Sequence, residues 1–158
     1  MTSNDLNRSL PSLFSELVFG APKGGAFVLN GGDPGLLAAL DRLSADEAST
    51  SRDGGGSIAA HTDHVRYGLS LMNRWSAGEN PFQDADWSSS WEIGAVSDSE
   101  WREIRDGLQG EVERWHSALQ TPREVAGMEL DGVIGSIIHV AYHFGAIRQI
   151  VPSLRGPK

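Results

Sequence analysis

The chain of 158 residues contains no cysteine. Disulfides, thiolate metal sites, cysteine nucleophiles and thiol redox switches are therefore excluded. Because thiolate ligands are lacking, any metal ion bound by this chain must be held by nitrogen and oxygen atoms.

Positive charge is also scarce, since 13 Lys and Arg residues stand against 21 Asp and Glu residues, for a formal net charge of -8. This balance repels phosphate backbones and acidic lipid surfaces at long range, so we expect no nucleic acid partner and no membrane partner. The N-terminus lacks the cationic start and unbroken apolar stretch of a signal peptide, and no apolar run reads as long enough to span a bilayer. We therefore expect a cytoplasmic protein.

Strand-like alternation is lacking as well, and apolar residues instead recur every three or four positions in several segments. The length suits one domain with a substantial core, so we predict a single all-α domain over residues 1–158, with four main helices and a shorter one. Asp33 is the predicted N-cap of the second helix, with Pro34 at its first position. The predicted helices run from Asp5 to Phe19, from Pro34 over the leucines to Leu43, from Ile58 to about Gly78, from Asp98 to about Thr121, and from about Asp131 to Val151.

Two helix starts carry specific capping signals. Ser57 is well placed to cap the helix that begins at Ile58. Ser97 and Glu100 match the S-x-x-E capping box, in which each side chain satisfies a backbone donor of the first turn. Pro122 and Pro152 close the last two helices.

Two histidines, His139 and His143, lie four residues apart in the apolar run "GSIIHVAYHFGAIRQI". On a helix this spacing places both rings on one face, one turn apart, where two nitrogens can converge on one cation. The apolar neighbours predict that this helix is heavily buried, and buried imidazoles need partners. A metal is one such partner, and hydrogen bonds to buried polar groups are the alternative.

A third ligand would strengthen the metal interpretation, since three protein ligands plus an open position are common in catalytic sites. The stretch "SIAAHTDHVRYGLSL" offers His61 and His64, roughly 60° apart around their helix. His61 falls near the middle of the apolar arc and His64 toward one side. Periodicity alone therefore mildly favours His61.

Most of the other histidine and charged residues considered are predicted to lie on the surface. His116 faces away from the apolar stripe of its helix, and we predict that it is a surface residue. Asp63, Arg66 and Arg74 fall on the polar face of theirs and are predicted to be solvated. Arg148 follows the histidine pair by about one turn, where it reaches either an anionic substrate or a carboxylate in an interhelix ion pair.

The segment "ENPFQDADWSSSWEIGAV" has no steady period but contains three aromatic residues. We predict an irregular loop anchored by Phe82, Trp87 and Trp91. Such a loop is suited to form a lid or a dimer contact.

The two histidine stretches together resemble the DinB/YfiT-like family of metal-binding helical bundles. His64 lies seven residues after the capping Ser57, which matches the position of the family's ligand better than His61 does, and "HFGAIRQI" resembles the end of the family's last helix. The resemblance implies a four-helix, up-down-down-up bundle with an extra short helix and long loops. It also implies that His64, His139 and His143 bind a divalent metal, zinc or nickel.

The family's activities include thiol-cofactor transfer, thiol-dependent isomerisation and hydrolysis. Our hypothesis is therefore a metal-dependent hydrolase or thiol transferase that acts on a small molecule of unknown identity and forms a homodimer. No carboxylate is evident on the histidine face, which slightly favours reactions in which an activated nucleophile suffices. The alternative is a non-catalytic metal- or ligand-binding helical bundle.

Overall fold

The computed structural model describes residues 3–122, 124 and 126–154. Over these residues the chain is all-helical, without a strand, and its one β-bridge joins Gly20 to Pro34. Short 3-10 helices cover Ser89–Glu92 and Pro152–Leu154. The α-helices are α1 (Ser3–Phe19), α2 (Leu36–Leu40), α3 (Ala45–Ala48), α4 (Ile58–Ser76), α5 (Asp98–Gln120) and α6 (Met128–Ile150).

The predicted helix starts at Ile58 and Asp98 are confirmed. The Ser57 hydroxyl accepts a hydrogen bond from the backbone N–H of Ala60, 3.0 Å away. Ser97 and Glu100 form both halves of the capping box that begins α5. These two starts follow from local hydrogen bonding, which is why short sequence signals suffice to predict them.

The predicted second helix is wrong in its start and its length. Gly35, not Asp33, is the N-cap, and α2 has only five residues. A separate short helix, α3, follows after Ser44, which forms its own capping box with Glu47. The leucine spacing from Leu36 to Leu43 is helical, but the chain turns at Asp41, so Leu36 and Leu40 lie on α2 and the buried Leu43 lies beyond its end.

Tertiary contacts explain why Asp33 does not cap a helix. Its carboxylate instead accepts a hydrogen bond from Arg148 of α6, with 3.1 Å between Nη2 and Oδ2. The neighbouring Pro34 is held in the bridge to Gly20. Gly35 then passes so close to α1 that an added Cβ would lie 2.5 Å from the carbonyl carbon of Val18, so only glycine fits there.

The buried carboxylate of Glu16 organises the glycine-rich connection after α1. It accepts hydrogen bonds from the backbone N–H groups of Phe27, Val28 and Leu29, at 2.6 to 3.2 Å. Burial would raise the pKa of Glu16, but these hydrogen bonds lower it below its ordinary value. The Phe27 ring itself is 88% exposed, whereas Leu29 is partly buried against the core. The connection is therefore held by its backbone hydrogen bonds to Glu16 and by Leu29.

The core lies between the four long helices. α4 packs against α5 and α6, and α1 packs against the same two helices. Complete burial of each large apolar side chain stabilises the fold by roughly 1.5–3 kcal/mol. The largest fully buried side chains include Phe14, Leu17, Leu36, Ile58, Leu69, Leu108, Trp115 and Ile147.

The prediction that α6 is heavily buried holds for only one of its sides. One side carries the buried Val140 and Phe144, but Ile138 is 62% exposed and Tyr142 is 70% exposed. By length and composition alone α6 also qualifies as a membrane-crossing helix, contrary to our expectation that no apolar run does. In this fold its buried side packs against α1 and α4.

Candidate metal centre

The start of α4 fixes the position of its histidines. Besides capping the helix, the Ser57 hydroxyl donates a hydrogen bond to the carbonyl oxygen of Ile93, at 2.9 Å. That bond ties the helix start to the tryptophan-containing loop. His61 and His64 therefore lie in the first two turns of α4, beneath the loop and opposite α6.

His64 of α4 converges with His139 and His143 of α6. The ring centroids lie 5.0 Å apart for His64 and His139, 4.9 Å for His64 and His143, and 4.5 Å for His139 and His143. One ring nitrogen of each residue lies within 4.8 Å of those of the other two. Among the residues that the structure describes, this group contains no carboxylate. Three imidazole nitrogens at these distances could hold a divalent metal ion.

His61, the residue that periodicity favoured, lies outside this group and contacts one of its members. Its Nδ1 is 2.9 Å from Nδ1 of His143, which is a hydrogen-bonding distance. With the shared proton on His143 Nδ1, the Nε2 atom of that ring is the free acceptor. His61 is thus placed to support a ligand rather than to replace His64.

The Nδ1 atom of His64 is buried and has no hydrogen-bond partner within the described chain. The whole residue is only 7% exposed. Leaving a buried polar atom unpaired costs about 1–3 kcal/mol, so such atoms are rare in folded proteins. An ion between the three rings would give nitrogen atoms here the partner that the protein itself does not supply.

The histidine rings are held in their neutral form. Burial, with a smaller effect from His64, lowers the pKa of His139 from 6.5 to about 4. Burial, followed by the charges of His139, His61 and His64, lowers the pKa of His143 to about 3. Burial also lowers the pKa of His64, although the Asp63 carboxylate opposes it, and burial and His64 lower that of His61. Neutral imidazoles are the form that binds metal ions.

Two tryptophans of the loop cover the histidines. The Trp91 ring lies 4.6 Å from that of His64, tilted by 33°, and meets His61 edge-on at 5.2 Å. Trp87 contacts His64 at 5.6 Å and stands perpendicular to His139 at 6.0 Å. Gly56 permits this cover, because an added Cβ there would lie 2.8 Å from the Trp91 ring. Both tryptophans remain 41% exposed, so the loop covers the rings and also borders solvent.

The prediction that Asp63 is solvated is wrong, because its side chain is buried. It is 8% exposed, and its Oδ2 accepts a hydrogen bond from the Ser90 hydroxyl at 2.6 Å. Its Oδ1 accepts from Nε and Nη2 of Arg66, at 2.8 and 2.7 Å. Asp63 therefore anchors the loop through its 3-10 helix. Nothing in the sequence indicated the contact with Ser90, which lies 27 residues away in the loop.

The predictions for the other charged and histidine residues have mixed outcomes. Arg74 is solvated as expected, in an exposed ion pair with Glu79 at 2.7 Å. Arg148 forms its ion pair with Asp33, on the connection between α1 and α2, and so reaches a carboxylate. His116 is half-buried rather than a free surface residue, because its ring packs edge-on against Phe19 at 5.1 Å.

Comparison with known proteins adds no relative. No family model matches the chain, and no curated protein and no solved structure matches it either. The relationship to the DinB/YfiT-like family therefore stays a prediction from the two histidine stretches.

Proposed function

We propose that this chain is a metal-dependent enzyme of the DinB/YfiT type, in which His64, His139 and His143 hold a divalent ion, zinc or nickel. The convergence of three neutral imidazoles from two helices, with a buried nitrogen of His64 unpaired, is the observation that carries the proposal. We further propose that α1, α4, α5 and α6 form the up-down-down-up bundle of that family. The pairwise packing of these helices is compatible with such a bundle.

A divalent ion in such a site lowers the pKa of a water molecule or a thiol and so supplies a nucleophile at neutral pH. The chain's own residues orient the ligands. His61 lies at hydrogen-bonding distance from Nδ1 of His143 and so orients that ring. A proton carried on His143 Nδ1 would leave its Nε2 free to bind the ion. Trp87 and Trp91 cover the rings and exclude water from that side, which strengthens electrostatic interactions within the site.

Thiol transfer is the reaction that this donor set supports best. Hydrolysis generally needs a protein acid or base near the nucleophile. The histidine group contains no carboxylate, the neighbouring Asp63 is engaged by Arg66 and Ser90, and His61 lies against His143. Transfer of an activated thiol to a small electrophilic molecule has no such requirement. We therefore place a thiol transferase ahead of a hydrolase.

A structural metal site is the second candidate, because the same lack of an acid and the tryptophan cover also suit an ion that only joins α4 to α6. That candidate predicts that metal raises the melting temperature while a panel of thiols and electrophiles shows no turnover. Metal-dependent turnover that is lost in His143→Ala distinguishes the enzyme.

Metal content tests the site directly. Purified protein, stripped and reloaded with zinc or nickel, is expected to bind about one equivalent by elemental analysis, the stoichiometry of a single site. His64→Ala is expected to lose most of this binding. His116→Ala is the matched control, because it removes a histidine outside the group. Full binding by His64→Ala, or negligible binding by the reloaded wild type, would contradict the proposal.

A further inference from the structure

A cavity of about 240 Å³ opens beside His139, between α4, α6 and the loop. Its lining includes four large apolar residues, Leu69, Met72, Phe82 and Trp87. His139 is the one residue that this cavity shares with the histidine group. A molecule in the cavity therefore adjoins the candidate metal centre.

The cavity offers almost nothing to a polar ligand. No acidic residue, lysine or arginine lines it among the described residues. The hydroxyl of Ser136 is already used, since it donates to the carbonyl of Val133 at 2.7 Å and accepts from Nε1 of Trp115 at 3.0 Å. Apart from the ring nitrogens of His139 and Trp87, the lining side chains offer no free partner to a charged or strongly polar group, so burying such a group against them is costly.

Glycines create part of this space. An added Cβ at Gly68 would lie 3.1 Å from the His139 ring and 3.4 Å from Trp87, so Gly68 leaves room for both rings. Gly135 also lines the cavity, and an added Cβ there would meet nothing within 4 Å. A larger side chain at position 135 has open space to occupy, whereas one at position 68 would displace the site.

We propose that this cavity binds the apolar, uncharged end of the substrate, a group about the size of one substituted aromatic ring. Apolar cavities of roughly 150 Å³ hold benzene, so the volume beside His139 suits a ring with a small substituent. The inference rests on the proposed metal-dependent function, and it deepens that function by naming a substrate class. The reacting end of such a molecule points toward His139, and its apolar end lies against Trp87 and Phe82.

The first test uses toluene and metal-free protein, so that it does not depend on metal. Titration followed by calorimetry is expected to show saturable binding to the wild type. Gly135→Leu fills the cavity and is expected to weaken binding by about tenfold or more. Gly145→Leu is the matched control, because Gly145 lies on the same helix, also has open space around its Cβ, and does not line the cavity.

Trp87→Ala, which removes a wall on the exposed loop, is expected to weaken toluene binding even if Gly135→Leu fails to fold. Toluene binding that is undetectable up to its solubility limit, or equal in wild type and both cavity variants, would overturn the proposal.

The second test uses cobalt-loaded protein and follows the sulfur-to-cobalt absorption band. Benzyl mercaptan is expected to bind at least about tenfold more tightly than 2-mercaptoethanesulfonate, and Gly135→Leu is expected to abolish that preference. A preference for the charged thiol would overturn the proposal. If cobalt does not bind at all, the metal-dependent function fails, while the toluene titration still decides the cavity.

Discussion

Two buried polar groups of this molecule are satisfied in opposite ways. Glu16, at the end of α1, is 5% exposed and accepts hydrogen bonds from three consecutive backbone N–H groups. His64, on α4, is 7% exposed, and its Nδ1 has no partner in the described chain. The carboxylate of Glu16 therefore has all its partners within the chain, whereas Nδ1 of His64 has none there. The first is typical of a structural element and the second of a binding site.

Removing a candidate ligand is the strongest test of this difference between the two regions. His143→Ala is expected to lower zinc affinity by more than roughly 100-fold, since even supporting groups are worth roughly 10- to 100-fold. Competition with a chromophoric chelator measures the affinity. Glu16→Ala is the control from the other region and is expected to leave zinc affinity unchanged. Similar affinities for His143→Ala and the wild type would show that His143 is not a ligand.

Glu16→Ala tests the opposite region. It leaves three backbone donors without their acceptor, so we expect the free energy of unfolding of the metal-free protein to fall by about 2–3 kcal/mol. Urea denaturation measures this loss. Glu103→Ala removes an exposed carboxylate and is expected to change stability by less than about 0.5 kcal/mol. An equally small loss for Glu16→Ala would mean that water replaces the carboxylate without cost.

Lowering the pH distinguishes the two regions, because the histidines and Glu16 affect the free energy of unfolding in different pH ranges. The folded pKa values of His139 and His143, about 4 and about 3, lie below the ordinary 6.5, so below pH 6.5 the unfolded chain binds more protons. The histidine region therefore loses stability as the pH falls from 6.5 toward 4. Glu16, whose pKa is lowered from 4.5, contributes its loss only at lower pH.

We expect metal-free protein to lose on the order of 2 kcal/mol of stability between pH 6.5 and pH 5. Urea denaturation at a series of pH values measures this loss. His139→Gln, which does not titrate, is expected to flatten the curve in that range, whereas Glu16→Gln is expected to flatten it only below about pH 4.5. A stability that does not change between pH 6.5 and 5 would contradict the buried, neutral state of these rings.

The smallest expected effect is that of His61→Ala. Loss of its hydrogen bond to His143 frees that ring to rotate or change tautomer, so we expect zinc affinity to fall by about tenfold. Isothermal titration with a competing chelator resolves such a change. His61→Gln retains a hydrogen-bonding amide and is expected to recover part of the affinity. A loss as large as that of His143→Ala would make His61 a ligand itself.

Much of the helical framework was predictable because its signals are local. The Ser57 cap and the Ser97–Glu100 box satisfy backbone donors within one turn, and both occur as predicted. The wrong prediction that Asp33 caps a helix arises from a long-range contact instead of a local one. That residue has the right chemistry for an N-cap, but its pairing with Arg148, 115 positions away, decides its role.

The histidine group also combines a part that local periodicity predicts and a part that depends on tertiary packing. By itself the sequence determined that His139 and His143 share one face of α6, because 3.6 residues per turn fixes the angle between positions four apart. It left His61 and His64 as alternatives, since both lie on the inner arc of α4. The packing of α4 against α6 places a ring nitrogen of His64 within 4.8 Å of those of His139 and His143. The same packing places His61 against His143 at 2.9 Å, outside that group. Periodicity sets angles around one helix, whereas the approach of two helices depends on side chains distant in sequence.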